Sequence, residues 1–257
     1  MTILKQQPIL VVRYSGAQTK SVWRLERCIR QARLGSQTVD QLVNSILIRM
    51  ERPNRLHGIY NYACFVSIAG ALAGGLAICL SITGHIELSL VALIFAGLAD
   101  LFDGYIARKL DLGAFEKAYG VQLDTVVDVL SFVAAPAVVG VALSVGHPLV
   151  IACIVIYMLA GLIRLAHFNT EMVGDRAPTD AHTGLPVTYA ALVLPILLVP
   201  MELLEGAAFQ VALGAIYFSL AALFSCPFTM PKPRGVLYAI FPLLALFLIG
   251  FWITDAL

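Results

Sequence analysis

Charged residues are scarce in this sequence of 257 residues: Asp, Glu, Lys and Arg make up 13% of it, whereas hydrophobic residues make up 60%. The mean hydropathy is +0.86. A soluble domain usually carries about 25% charged residues. A water-facing globule of this length cannot bury so much apolar surface. The composition therefore excludes an ordinary soluble protein and predicts that a lipid bilayer surrounds most of the chain.

Cysteine is also sparse, and the five cysteines form no C-x-x-C pair. Four of them lie in or beside apolar stretches, so we interpret them as small packing residues rather than as ligands or redox groups. The first residues lack a short apolar segment followed by a small-residue cleavage site. We therefore expect no removable secretory signal, and we expect the first span to direct membrane insertion.

Long apolar stretches are what the sequence has instead. A span needs about 20 apolar residues to cross about 30 Å of hydrocarbon. Candidate stretches lie at about 59–82, 86–106, 121–145, 148–168, 185–204, 208–226 and 236–254. The last two are the least distinct as separate crossings. We predict an all-α, polytopic transmembrane bundle of six to seven spans.

The N-terminal segment is the most basic part of the chain. Four arginines recur there at every third position: Arg24, Arg27, Arg30 and Arg33. This basic helical face either contacts anionic lipid headgroups, or is simply solvated or in contact with a partner. From Thr38 to Met50 apolar residues recur at intervals of three and four, which predicts an amphipathic helix at the membrane interface. We divide the chain into a cytoplasmic segment, residues 1–51, and a membrane domain, residues 52–257.

Basic residues are unevenly distributed between the loops. If the N-terminus is cytoplasmic, all the loops that contain Lys or Arg lie on the cytoplasmic side. The basic residues in these loops are Arg108, Lys109, Lys117, Arg176, Lys232 and Arg234. The opposite turns contain no Lys or Arg. This distribution follows the positive-inside rule. We therefore expect an integral membrane protein whose N-terminus and functional site are cytoplasmic.

Four aspartates interrupt two neighbouring apolar stretches. Asp100 and Asp103 lie near the end of the second predicted span, and Asp124 and Asp128 lie near the start of the third. Spacings of three and four residues place each pair on one helix face. Antiparallel packing of the two spans would bring both pairs to one depth. A carboxylate at a membrane helix centre costs about 2.5–3.5 kcal/mol on insertion scales, so four clustered acids require cationic compensation.

Divalent cations are the compensation that the residue types favour. Aspartate offers only oxygen ligands, which suit Mg²⁺ or Mn²⁺, and the absence of nearby Cys or His argues against zinc. Two such ions would hold a pyrophosphate and leave one phosphorus open to attack. Salt bridges from Arg108 and Lys109 are the alternative, but two cations do not balance four acids. We therefore predict two ions, Mg²⁺ or Mn²⁺, at the four aspartates.

Two small residues follow the first aspartate pair. Gly104 and Ala107 would let a flat nucleotide base approach the helix backbone closely. Small residues in membrane helices are more often packing positions. Their place inside the aspartate pattern favours a binding role.

The pattern D-x-x-D-G-x-x-A-R, followed by G-x-x-x-D-x-x-x-D, resembles the signature of the CDP-alcohol phosphatidyltransferase family. The resemblance covers roughly residues 52 to 230. It implies that Asp100, Asp103 and Asp124 bind metal. It implies also that Asp128 binds metal and acts as general base on the acceptor hydroxyl.

The same resemblance implies the substrates and further contacts. Gly104 and Ala107 would face the cytidine, and Arg108 would approach the diphosphate or the nucleotide. The expected partners are CDP-diacylglycerol, a small alcohol, membrane lipids and a second copy of the chain in a homodimer. We expect no nucleic-acid partner.

Further segments resemble the branch of the family that uses serine. They are Gln122-Leu123-Asp124 continuing into Ser131-Phe132 and Ala135-Pro136, then Arg164-Leu165-Ala166-His167-Phe168-Asn169, and Gly184-Leu185-Pro186. The sequence departs from that branch at Thr125, where Ser is usual, and at His167, where Arg is usual. L-Serine is thus the favoured acceptor. Glycerol 3-phosphate, inositol or its phosphate, and choline remain alternatives.

Two residues of these segments are candidates for binding the acceptor or a phosphate. Arg164 is either an anion clamp or a side chain that snorkels or pairs with a site aspartate. Asn169 either lines the acceptor pocket or ends its helix.

Two other kinds of function fit membrane acids. An ion-coupled transporter would place polar residues along a route through the membrane, whereas here the acids gather at one end of the spans. A catalytically silent lipid-binding relative would have lost some of the signature, whereas all four aspartates are present. Both alternatives are weaker than the transferase prediction.

Overall fold

The computed structural model describes residues 61–107, 109–110, 112–173, 181–226, 229–231 and 237–256. The helices are α1 Tyr62–Ile82, α2 Ile86–Ala107, α3 Ala114–Asp128, α4 Ala135–Ser144, α5 Pro148–Val173, α6 Ala190–Leu198, α7 Gly206–Ser225 and α8 Leu237–Ala256. A π-helical turn, Val129–Ala134, joins α3 to α4. Two 3₁₀ turns, Val187–Tyr189 and Val199–Leu203, flank α6. Strands β1, Ala181–Thr183, and β2, Thr229–Pro231, form a short antiparallel pair.

Within the described residues, five helical segments are long and apolar enough to cross a membrane: Tyr62–Ile82, Ile86–Ala107, Phe115–Ser144, Pro148–Thr170 and Gly206–Ser225. Two shorter apolar segments are Val187–Leu203 and Ile240–Ala256. All seven overlap predicted stretches. The prediction of an all-α, polytopic membrane bundle is confirmed. The predicted interfacial helix and the boundary after residue 51 lie outside the described residues and stay predictions.

The third membrane segment begins earlier than hydropathy predicts. Helix α3 begins at Ala114, whereas the apolar stretch begins at about residue 121. The backbone N–H of Gly113 donates to Glu116 Oε2 at 3.1 Å, which stabilises the helix start. Glu116 and Lys117 are charged and lower the local hydropathy, so hydropathy alone does not assign these first two turns to the membrane segment. Helix α3 therefore begins before the apolar stretch, and its first turns precede Asp124 in the chain.

Helices α1 and α2 form an antiparallel hairpin whose turn is fixed by serines. Ser89 Oγ donates to the carbonyl of Ala77 at 2.8 Å, and the hydroxyls of Ser81 and Ser89 lie 2.7 Å apart. These three residues are buried. The hydrogen bonds satisfy polar groups that the apolar surroundings would otherwise leave unpaired. Because the hairpin is fixed at this end, the start of α1 lies beside the end of α2, where Asp100 and Asp103 are.

Close packing of α1 against the π-helical turn predicts a large difference between two adjacent glycines. A Cβ on Gly74 would lie 2.4 Å from Ser131 Oγ, whereas a Cβ on Gly75 would meet no described atom within 4 Å. We expect Gly74→Ala to destabilise the protein by about 1–3 kcal/mol through overpacking. We expect Gly75→Ala to be neutral or stabilising by up to about 1 kcal/mol, because alanine favours the helix. Thermal unfolding in detergent measures both, and equal midpoints for the two variants would contradict this packing.

Candidate active site

A cavity of about 290 Å³ lies between the end of α2, the start of the third membrane segment, α5 and the 3₁₀ turn before α6. Its polar side is formed by all four predicted aspartates together with Gly104 and Arg164. Its other walls are largely apolar and include these residues: Leu98, Leu101, Leu165, Phe168, Pro186, Val187, Tyr189, Leu192 and Phe241. The structure thus brings the two signature blocks together in one pocket.

Three of the four aspartates form a tight cluster. Carboxylate oxygens of Asp100, Asp124 and Asp128 all lie within 4.8 Å of one another. Asp128 is buried, and its Oδ1 atom has no hydrogen-bond partner among the described residues. Such a buried, unpaired carboxylate oxygen is costly unless a cation or a proton donor reaches it. These three aspartates, one from α2 and two from α3, therefore lie at one depth, as the sequence predicts.

Asp103 faces the same cavity but has a partner of its own. It is buried, and its Oδ2 atom accepts a hydrogen bond of 2.5 Å from Ser67 Oγ in α1. Sequence reasoning did not identify Ser67. A signal exists, because Ser67, Gly70 and Gly74 are small residues at spacings of three and four on α1. Small residues at such spacings indicate a close helix contact, and here that contact holds an aspartate of the site.

The donor set fits the predicted divalent ions. The clustered ligands are all carboxylate oxygens, and no described residue lining the cavity is Cys or His. Hard cations such as Mg²⁺ and Mn²⁺ prefer such ligands. The unpartnered Oδ1 of Asp128 is an available ligand atom. Asp100, Asp124 and Asp128 therefore suit a bound divalent ion, and Asp103 lines the same space.

Gly104 borders open space within the cavity. A Cβ on Gly104 would meet no described atom within 4 Å, so the described packing does not require a glycine here. The space is available to a ligand, in agreement with the predicted approach of a nucleotide. Ala107 is the last residue of α2, and Arg108 lies outside the described residues. The nucleotide roles of all three stay predictions.

Lys109 does not belong to the acidic pocket in the described structure. Its ammonium donates to the Tyr105 hydroxyl at 2.5 Å and lies 4.2 Å from the centre of the Tyr105 ring. The side chain of Lys109 is exposed and is not among the described residues that line the cavity. This contact weakens the alternative in which Lys109 balances the aspartates.

Arg164 lies in the cavity wall, where α5 meets the segment after β1. Its Nε donates to the Leu185 carbonyl at 3.3 Å and its Nη2 to the Gly184 carbonyl at 3.4 Å. Gly184 has a φ of +79°, and a Cβ there would lie 3.0 Å from the Cys226 carbonyl oxygen. The arginine and glycine-leucine-proline segments noted in the sequence are therefore in contact. Arg164 is buried with its charge beside the polar end of the pocket.

Asn169 contacts α3 instead of the cavity wall. Its Nδ2 donates to Thr125 Oγ1 at 2.9 Å, and Thr125 Oγ1 donates to the Val121 carbonyl at 2.8 Å. It is not among the described residues that line the cavity. The threonine that departs from the serine-using pattern keeps a hydroxyl, and that hydroxyl joins α5 to α3 next to Asp124. The predicted role of Asn169 in acceptor binding stays a prediction.

Comparison with known proteins agrees with this geometry. The fold and the pocket define an integral membrane protein with a carboxylate-lined site. Residues 60–230 match the model of the family described as CDP-alcohol phosphatidyltransferase, a range that contains every predicted site residue. The chain belongs to this enzyme family, and the resemblance seen in the sequence is confirmed.

Several individual relatives have names that include serine. The chain is 35% identical over 137 residues to the CDP-diacylglycerol–serine O-phosphatidyltransferase of Bacillus subtilis, covering 52% of this chain and 73% of that protein. It is 32% identical over 140 residues to the archaetidylserine synthase of Methanothermobacter thermautotrophicus, covering 50% of this chain and 54% of that protein. It is 30% identical over 118 residues to the CDP-diacylglycerol–serine O-phosphatidyltransferase of Saccharomyces cerevisiae, covering 46% of this chain and 40% of that protein. The match thus covers about half the length of the Methanothermobacter thermautotrophicus relative and less than half of the Saccharomyces cerevisiae relative.

Proposed function

We propose that this protein transfers a phosphatidyl group from CDP-diacylglycerol to L-serine, producing phosphatidylserine and CMP. The observation that carries the proposal is the convergence of Asp100, Asp124 and Asp128 in one membrane-domain cavity. Family membership supports the reaction class. The names of the relatives support serine as the acceptor.

In the proposed reaction, Asp128 accepts the proton of the serine hydroxyl. The serine oxygen then attacks the lipid-linked phosphorus, a new P–O bond forms, and the bond to the bridging oxygen of CMP breaks. No covalent enzyme intermediate is needed. Asp128 suits the role of base, because its Oδ1 atom is buried and has no hydrogen-bond partner among the described residues. A positioned general base contributes about 10²–10⁴ in rate.

The remaining residues of the site bind and orient. Asp100, Asp103, Asp124 and Asp128 would hold two divalent ions, Mg²⁺ or Mn²⁺, which when bound neutralise the diphosphate and act as Lewis acids. Gly104 leaves room for the cytidine. The family resemblance implies that Ala107 also faces the cytidine and that Arg108 approaches the diphosphate or the nucleotide. Arg164 places a cation in the wall that the serine carboxylate or a donor phosphate approaches. The apolar wall accepts the lipid end of the donor.

We propose the cytoplasmic face of a bacterial inner membrane as the location of the site. The uneven distribution of Lys and Arg between the loops supports this orientation. The proposed homodimer is an expectation of the family resemblance. Asn169, through Thr125, would support the acceptor side of the site.

An acceptor panel tests the proposed function. Purified protein is incubated with CDP-diacylglycerol and Mg²⁺ or Mn²⁺, and CMP release is measured with serine, glycerol 3-phosphate, inositol, inositol phosphate or choline. We expect CMP release and a new lipid only with serine. Release with another acceptor alone would keep the reaction class and overturn serine. Absence of release with every acceptor would favour the silent relative or the transporter.

A further inference from the structure

The π-helical turn begins directly after Asp128. Such turns insert one extra residue into a helix and often occur at functional sites. Here Ser131, Phe132 and Val133 of the turn are consecutive and are all buried. The backbone that follows Asp128, at the end of α3, is therefore that of the π-helical turn.

A buried tyrosine binds the backbone of this turn. Pro136 has no N–H, so it cannot donate the usual i+4 hydrogen bond to the Phe132 carbonyl. The hydroxyl of Tyr157, in α5, donates to that carbonyl at 2.5 Å. Tyr157 has no exposed surface. A side chain 25 positions along the chain thus donates to this carbonyl, to which Pro136 cannot donate.

Neighbouring helices also confine the side chains of the turn. Ser131 packs against Gly74 of α1, where a Cβ would lie only 2.4 Å from its Oγ. Val133 packs against Gly161 of α5, where a Cβ would lie 3.1 Å from its Cγ2. Tyr157 binds the residue between them. Three consecutive residues of the turn are therefore each held by a different contact, within five positions of Asp128.

We propose that Tyr157 is a positioning residue for Asp128, acting through the π-helical turn. The proposal rests on the proposed function, since the part of Asp128 in the reaction is proposed there. Tyr157 acts on the backbone and touches no described residue of the aspartate cluster in the hydrogen bonds observed. Loss of its hydroxyl would release the Phe132 carbonyl, relax the turn and move the Asp128 carboxylate relative to Asp100 and Asp124.

Tyr217 offers a matched control. It is also fully buried, and its hydroxyl donates at 2.5 Å to the carbonyl of Pro136, which lies in α4 beyond the turn. The two rings contact each other edge to face at 5.4 Å. Tyr157→Phe and Tyr217→Phe therefore remove the same group from the same core. Only the first removes a hydrogen bond to the turn itself.

The experiment compares both variants with the wild-type protein by steady-state kinetics, thermal unfolding and Mn²⁺ titration followed by electron paramagnetic resonance. We expect Tyr157→Phe to lower kcat by about ten- to a hundredfold with little change in the KM for serine, as a small misplacement of a reacting group does. We expect its Mn²⁺ affinity to fall about tenfold. We expect Tyr217→Phe to unfold at a similarly lowered temperature but to keep near wild-type kcat and Mn²⁺ affinity.

Equal effects of the two variants on kcat and on Mn²⁺ affinity would overturn the proposal, because both hydroxyls would then be merely structural. So would a Tyr157→Phe variant with wild-type kcat and Mn²⁺ affinity. The Mn²⁺ titration needs no acceptor. If the wild-type protein turned over no substrate, the proposed function would fail, while the titration would still decide whether Tyr157 positions the aspartate.

Discussion

Replacing Asp128 by Asn is expected to lower CMP release in the presence of serine by about 10²–10⁴-fold. Asparagine has nearly the same shape, but it cannot accept the hydroxyl proton and it brings no negative charge to the cluster with Asp100 and Asp124. The effect should appear in kcat, because binding of the lipid to the apolar wall is unchanged. Steady-state CMP release by the purified variant measures it.

The same substitution, which lowers activity, is expected to leave the stability of the protein unchanged or to raise it. Without divalent ions, three carboxylates within 4.8 Å repel one another in apolar surroundings. The Asp128→Asn variant should then unfold at the wild-type temperature or above it, so lost activity would not reflect misfolding. Asp255→Asn, at the exposed end of α8, is the matched control and should keep full activity. A fully active Asp128→Asn variant would exclude Asp128 as the base.

Removal of divalent ions is expected to reduce CMP release to background. Four carboxylates line one cavity, and without cations they would repel the diphosphate of the donor. Chelation followed by dialysis should abolish the reaction, and Mg²⁺ or Mn²⁺ should restore it. At an ion concentration one hundred times the Kd, binding stabilises by about 2.7 kcal/mol, which raises the unfolding midpoint by roughly 5–10 °C.

A variant that lacks cluster ligands separates this effect from non-specific stabilisation. Asp100→Asn combined with Asp124→Asn should lose most of the shift in unfolding temperature on addition of Mn²⁺. Asp255→Asn should keep the full shift. If chelated protein remained active, or if all these variants gained the same stability from Mn²⁺, the carboxylate cluster would not be a divalent-ion site.

Local patterns were sufficient to predict the spans and the aspartate cluster. Hydropathy identifies each membrane segment because a bilayer demands about 20 apolar residues in succession. The spacing of Asp124 and Asp128 places both side chains on one face of α3, and the short connection from α2 to α3 returns the chain to the depth of Asp100. These inferences need only helix periodicity and a short turn.

Contacts between residues distant in sequence could not be predicted in this way. The π-helical turn has an ordinary apolar sequence, and its Phe132 carbonyl accepts a hydrogen bond from Tyr157, 25 residues away. The hydrogen bond from Ser67 to Asp103 spans 36 residues. Asn169 was a candidate for the acceptor pocket, yet its amide reaches Thr125, 44 residues away. Such pairs depend on how helices pack, which no single-sequence periodicity specifies.

The apolar wall of the cavity was also not predicted as part of the site. Pro186–Tyr189 and Phe241 come from a 3₁₀ turn and from α8, at opposite ends of a long stretch of chain. In a membrane protein nearly every helix is apolar, so hydropathy alone does not distinguish a residue that faces a pocket from one that faces lipid.

The most direct test of the proposed function follows one oxygen atom. Purified wild-type protein, CDP-diacylglycerol and Mn²⁺ are incubated with serine whose hydroxyl carries a heavy oxygen isotope, and the lipid product is analysed by mass spectrometry. We predict phosphatidylserine that retains the heavy oxygen, formed in equal amount with CMP and absent with the Asp128→Asn variant. CMP formed without labelled phosphatidylserine, or no reaction of the wild-type protein, would contradict direct transfer to serine at this site.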